Sequence, residues 1–388
     1  MIQSLREWAE KNAHFKQIGR YFPPDILLPF LKQWDDTFSI VMVGRSVEGR
    51  PIHKIEMGSG PIRILMWSQM HGNESTTTKA IIPLLQLLSD SDNEIATRIW
   101  ERCTITLIPM LNPDGAAAYT RANANEIDLN RDAQDLSQPE SKVLRQTFND
   151  VDPDFCFNLH GQRTIYGVGE TPMSAAMSFL TPAENYERTI TKPRKSSMNV
   201  VADIYRTLHT IIPGHIGRYD DTHNINCVGD TFQSLGKPTI LFEAGHYPND
   251  YLRHTSTELT FYAMVAALNS VATHELDEDK VEAYHQIPQN KKSFNDFVLR
   301  DASTTGKSGI VSKNLCFQFK EVLKDGRIRF VPEYVSENKG AGTFFHKEFD
   351  FADLTILNPQ FQTFSEEVDI VEYLRNFKEM GEWLSKIQ

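Results

Sequence analysis

Four mostly apolar runs, each ending abruptly in a polar cluster, constrain this chain more than any other feature. They are Ile62–Gln69, Arg102–Met110, Phe155–Leu159 and Lys237–Glu243. Runs this short and this apolar fit strands covered on both faces. Helical segments fall between them at Thr76–Leu88, Ser141–Phe148 and Asn199–Ile211, and a long one follows at Leu252–Val271. Alternating strands and helices predict an α/β fold with a mixed, mostly parallel central sheet and helices on both faces. Ahead of the first run, Phe38–Gly60 reads as a hairpin around the turn-rich SVEGRP.

The predicted organisation is a helical segment at 1–35, a catalytic domain at 36–272, a polar linker at 273–290 and a small α+β region at 291–388. The last region carries a hairpin signal at Asp325-Gly326 and a closing helix at Val368–Ile387, with Ile370, Val371, Leu374, Phe377 and Leu384 near one face. Substrate orientation, dimerisation and plain structural support all fit this region.

In open α/β sheets, ligands bind beyond the carboxyl ends of the strands. The polar clusters there are therefore the candidate site. After the first run come His71, Gly72 and Glu74, two good zinc ligand types three residues apart. A glutamate capping the next helix beside an exposed histidine is the plainer reading. After the third run comes His160, either a hydrogen-bonded strand-end histidine or a third ligand. After the second run, Asn112–Gly115 is a turn in its own right, and Arg121, Asn130 and Arg131 follow. Arginine forks bind carboxylates or stabilise oxyanions, and they also form surface ion pairs. After the fourth run, Glu243 fits either a general base or a structural carboxylate paired with an arginine.

Taken together, HGNE (71–74), NPDG (112–115), RANANEIDLNR (121–131), NLHG (158–161) and FEAG (242–245), with GRSVEGRPI (44–52) ahead of them, resemble the zinc carboxypeptidases of the carboxypeptidase A-like family, in a bacterial-type form. The resemblance spans about residues 36–272. It implies one Zn²⁺ per chain on His71, Glu74 and His160. It implies Arg121 at the scissile carbonyl, Asn130 and Arg131 on the substrate's terminal carboxylate, and Glu243 as general base. The family's mobile tyrosine has only Tyr219 as its counterpart, slightly early in the sequence. The implied activity is a zinc metallopeptidase releasing C-terminal residues from peptides, cell-wall-type peptides among them. A zinc-dependent N-acyl amino acid deacylase on the same scaffold is the alternative, since its substrate also ends in a free carboxylate.

The remaining expectations come from composition. A net charge of −11 argues against nucleic acid or anionic membrane as a broad partner. No run approaches the ~18 apolar residues of a membrane span. The start MIQSLREWAEKNAHF reads as an amphipathic helix rather than a signal peptide, so a cytoplasmic location is expected. Cys103 and Cys156 sit in apolar runs and are expected to be buried thiols.

Overall fold

A computed structural model describes residues 1–13, 15, 19–273, 280–306, 309–337, 342–350, 355–356, 374 and 377–387. The strands of its first half are β1 (Ser39–Arg45), β2 (Pro51–Gly58), β3 (Ile62–Ser68), β4 (Cys103–Ile108), β5 (Phe155–Gly161), β6 (Tyr166–Val168), β7 (Met177–Leu180), β8 (Ile216–Arg218) and β9 (Thr239–Ala244). All but β6 join one sheet in the order β1-β2-β4-β3-β5-β9-β7-β8. The contiguous strands β4, β3, β5 and β9 are parallel, and β7 and β8 are parallel to each other. The pairings β1–β2, β2–β4 and β7–β9 are antiparallel. The expected mixed, mostly parallel sheet is what forms.

The four apolar runs are the four parallel central strands. Their side chains alternate between two separate cores. Ile64 and Met66 join the larger core, under helices Thr76–Leu88, Lys192–His209 and His254–Thr273. Leu65 and Trp67 join the other, with Leu144, Phe148 and Phe232. Both faces are covered, and the polar side chains buried on these strands are few, Ser68, Thr106, Asn158 and Thr239 among them. Cys103 and Cys156 are buried thiols, as expected, and burial pushes Cys103 up to about 12.

Helix Lys192–His209 begins earlier than the sequence reading, with Thr191 capping it and Pro193 in its first turn. The polar stretch read as a linker carries helix Lys280–Gln286 and β10 (Asn290–Lys292) in its described part. β10 pairs with β6, and Tyr284 is fully buried.

The second half forms its own sheet from β11 (Phe294–Gly306), β12 (Gly309–Lys324), β13 (Arg327–Glu337), β14 (Phe344–Asp350) and β15 (Thr355–Ile356). Asp325 and Gly326, with φ of 51° and 69°, make the two-residue turn between β12 and β13. Helix Lys378–Ile387 packs Trp383 and Leu384 against Phe297, Phe319 and Phe349 of this sheet. Leu374 and Phe377 also join this core, and the rest of the expected closing helix, with Ile370 and Val371, lies outside the described residues.

Among the polar ties that fasten this sheet to the first half, those of Asp296 and Glu321 gather the most partners. Asp296 accepts hydrogen bonds from the Tyr251 hydroxyl (2.9 Å), the Thr164 hydroxyl (3.2 Å) and the Phe319 amide (2.6 Å). Glu321 receives the Arg20 fork at 2.9 and 3.0 Å and also accepts from the Tyr119 hydroxyl.

Candidate metal centre

The site assembles where β3, β5 and β9 end. β3 stops at Ser68, and Gln69 turns the chain through a left-handed φ of 51°, an uncommon conformation for a non-glycine residue. Gly72 then passes against the backbone of Gly115, where a Cβ on Gly72 would lie 1.9 Å from the Gly115 carbonyl carbon. Gly72 is thus required by close approach. Asn112 locks the two loops together: its side chain donates to the Met70 carbonyl at 3.1 Å and caps the Gly115 amide at 2.8 Å. Asp114 holds the hairpin turn through Ser46 Oγ (2.7 Å), the Glu48 amide (2.9 Å) and Arg50 (2.6 Å). The HGNE, NPDG and SVEGRP segments are therefore one interlocked structure.

His71, Glu74 and His160 come together. Each offers a ligand atom, and the three atoms lie within 4.8 Å of one another. His71 Nδ1 is 2.9 Å from one Glu74 oxygen, and His160 Nδ1 is 3.0 Å from the other. The two Nδ1 atoms face each other at 3.2 Å. Glu74 does not cap the helix Thr76–Leu88, which has no side-chain cap. Two imidazole nitrogens and a carboxylate converging in a buried space fit a zinc ion by donor type and number.

Asp128 completes this arrangement. Its Oδ1 accepts from His71 Nε2 at 2.9 Å, which fixes the N–H on Nε2 and leaves Nδ1 to face Glu74 and His160. The sequence reading gave Asp128 no role, although it stands two residues before Asn130.

The charges in the centre follow from these contacts. Burial opposes protonation of His71, but Glu74 and Asp128 outweigh it and raise it to about 9. Burial also opposes ionisation of Glu74 and Asp128, but their histidine and arginine neighbours hold both below the usual carboxylate range. Burial pushes His160 down.

Arg121 is ion-paired, at 3.1 Å to Asp128 and 3.3 Å to Glu74, with about half of its side chain exposed. Arg131 is different. It donates to the Asn130 carbonyl (2.7 Å) and the Cys227 thiol (3.1 Å), and among the described residues it has no acidic partner. The Asn130 side-chain oxygen accepts from the Val228 amide at 2.9 Å, which leaves its NH₂ to face a ligand. Glu243 pairs with no arginine among the described residues, and its buried Oε2 has no hydrogen-bond partner. Burial and the nearby Glu74 push it well above the carboxylate range.

A cavity of about 440 Å³ brings Arg121, Asn130, Arg131 and Glu243 onto one surface with His71, Glu74 and His160. Tyr219 also lines it, with its hydroxyl 2.6 Å from that of Tyr166, a residue that the sequence did not single out. Asp220 and Asp230 lie in the same wall, and burial raises Asp230 to about 6.

The zinc carboxypeptidase family model matches residues 30–154. Carboxypeptidase SOL1 of Arabidopsis thaliana is 29% identical over 150 residues, which cover 34% of this chain and 30% of that protein. The chain spans about a third of the length of the curated relatives it matches first. A metallo-carboxypeptidase from Burkholderia cenocepacia superposes with a TM-score of 0.54 at 18% identity, covering 65% of this chain and 69% of that one. A metallo-carboxypeptidase from Pseudomonas aeruginosa, solved in complex with (2-guanidinoethylmercapto)succinic acid, gives 0.53 at 18% identity, covering 66% and 70%. These two likenesses carry the fold. Among the described residues, no helix is long and apolar enough to cross a membrane. Residues 30–154 thus resemble the zinc carboxypeptidase family, and the chain has the mixed α/β fold of the metallo-carboxypeptidases.

Proposed function

We propose that this chain is a zinc-dependent metallocarboxypeptidase that hydrolyses the last amide bond of peptides. One observation carries the reading: His71, Glu74 and His160 converge in a cavity that also holds Arg131, a cation with no acidic partner among the described residues. In an acidic chain, such a guanidinium beside a set of metal-binding donors suits a substrate carboxylate.

In this reading His71, Glu74 and His160 hold one Zn²⁺ per chain. When bound, the ion supplies Lewis acidity, which polarises a carbonyl and makes a water molecule a stronger acid. Arg131 and the Asn130 NH₂ hold the terminal carboxylate, which limits cleavage to the last residue. Glu243 accepts a proton from the attacking water at its unpaired Oε2 and returns it to the leaving amine nitrogen as the C–N bond breaks. Its burial makes it a stronger base than an ordinary carboxylate. Arg121 steadies the negative charge that develops on the carbonyl oxygen. Tyr219 contacts bound substrate from the opposite wall. Residues 36–272 carry this chemistry, flanked by 1–35 and 291–388. Asp220 and Asp230 favour a basic or amine-bearing last residue, as in cell-wall-type peptides.

The test is a substrate panel with metal analysis. It contains peptides of varied last residue, isopeptide-linked wall fragments and N-acyl amino acids. Release of last residues, stopped by a chelator and restored by zinc, is the expected result. Hydrolysis confined to N-acyl amino acids would replace the reading with a deacylase. A protein that takes up no zinc and hydrolyses nothing would refute both.

A further inference from the structure

A second cavity, of about 390 Å³, opens from the same centre on the side away from Asn130 and Arg131. Glu74, Arg121, Gly161, Gln162 and Arg163 line both cavities, so the metal centre and Arg121 stand at their junction. The outer wall of the second cavity comes from the C-terminal sheet, through Phe319, Lys320 and Glu321 of β12 and Phe330 and Glu333 of β13. This placement matters if the first cavity takes the last residue of a peptide. The scissile carbonyl then lies at the junction, and the chain on its amino side has to leave through the second cavity.

Most charges in that cavity are committed. Glu321 is held by Arg20 and Tyr119, and Arg121 by Asp128 and Glu74. Lys320 and Glu333 face each other at 3.9 Å. Arg163 is the exception. It is exposed, and among the described residues it has no hydrogen-bond or ion-pair partner. Its backbone is nevertheless well anchored. The preceding Gln162 donates its amide to the Ala244 carbonyl (3.0 Å) and its side chain to the Ala175 carbonyl (2.9 Å) and Ser178 Oγ (3.0 Å). Asn290, at the entrance to the C-terminal sheet, donates to Gln162 at 2.7 Å. An uncommitted guanidinium on a fixed backbone, at the rim of a concave polar space, recognises an anion.

We propose that the second cavity, walled by the C-terminal sheet, is the subsite for the residue on the amino side of the scissile bond, and that Arg163 selects a carboxylate side chain there. The proposal rests on the carboxypeptidase reading above. It gives the C-terminal region a part in substrate choice.

The experiment compares kcat/KM on amino-blocked peptides that share one last residue and carry Glu, Gln or Lys next to it. The enzymes are the full-length zinc-loaded chain, Arg163→Gln and Arg163→Glu, with zinc content and melting temperature as folding controls. The wild type should prefer Glu over Gln by about five- to tenfold, the range of a partly exposed charge-assisted contact. Arg163→Gln should erase that preference, and Arg163→Glu should turn it toward Lys. Added salt should shrink it in the wild type. Release at equal rates from all three peptides, or a Glu preference that survives in Arg163→Gln, overturns the subsite and leaves the carboxypeptidase reading standing. No release from any peptide overturns that reading and the subsite with it.

Discussion

Replacing Asp128 by alanine removes the acceptor 2.9 Å from His71 Nε2 without touching any of the three donors proposed for zinc. A charge-assisted hydrogen bond of this kind is worth about 1.5–3 kcal/mol, or roughly 10–150-fold in an equilibrium constant. A quarter of the Asp128 side chain is exposed, so solvent screening places the expected loss in the lower half of that range. Asp128 acts in two opposing directions. It orients His71 for a metal, and it also stabilises the protonated form that competes with the metal. His71 stands at about 9 in the metal-free chain. Zinc must displace that proton, so apparent affinity should rise about tenfold per pH unit as pH climbs toward 9 and then level off.

The Asp128→Ala chain gives up part of the alignment and part of the proton competition. Its loss of zinc affinity should therefore be small near pH 7 and widen to about 10–50-fold by pH 9. Competition against a chromophoric chelator at pH 7, 8 and 9 measures this without any turnover. Calorimetry in buffers of different ionisation enthalpy should show at least one proton released on zinc uptake near neutral pH, and less release in the variant. Wild-type zinc affinity in the variant at pH 9 would refute the role argued for Asp128.

The other predictions concern substrate handling. Arg121→Ala should keep its zinc and lose about 10²–10³ in kcat, the usual cost of one oxyanion donor; unchanged turnover at saturating substrate would remove Arg121 from the chemistry. Arg131→Ala should lose about 10–100-fold in kcat/KM on peptides with a free terminus, while the slower hydrolysis of C-terminally amidated peptides changes little. Asp230 is raised to about 6, so its carboxylate is present above that pH and protonated below it. Preference for a basic over a neutral last residue should accordingly fall as pH drops from 7 to 5, and in Asp230→Asn it should be low and flat throughout. Asp296 is buried and likewise raised to about 6 while serving four donors from both halves of the molecule, Tyr251, Thr164, Gln318 and Phe319. Asp296→Ala leaves those donors unpaired and should cost about 2–4 kcal/mol in denaturant unfolding.

The parallel core and the candidate metal donors were legible in the sequence for one reason: each is signalled by a local pattern. A strand buried on both faces is an unbroken apolar run, and a ligand at its end is the first polar residue after the run. His71 and His160 follow that rule, and Glu243 is the polar residue that closes its own run. What escaped notice depends on pairs distant along the chain. Asp128 matters because it lies 57 positions after His71 and still touches it. Tyr166 matters because Tyr219, 53 positions on, brings its hydroxyl to 2.6 Å. The short strands β7 and β8 hold too few residues to show a period, and the sheet alone makes them strands. Helix Lys280–Gln286 hides in charged sequence because it buries little beyond Tyr284.

The same asymmetry bears on how specificity is encoded here. The side chains of the candidate site sit on turns that adjacent strands fix, so sequence reports them. The second cavity is made by bringing Gly161–Thr164 against β12 and β13, more than 150 positions away. Asp296 and Glu321 set that approach, and neither carries any chemistry of the reaction. If selection depends on the spacing between two halves of the chain, then weakening those ties should change which peptides are taken before it changes how fast the best one is cut. Asn290→Ala frees Gln162 from the C-terminal half while leaving its bonds to Ala175 and Ser178 in place. It should blur discrimination next to the scissile bond while zinc affinity stays as it was, and a change in zinc affinity alone would show that the tie serves the metal centre instead.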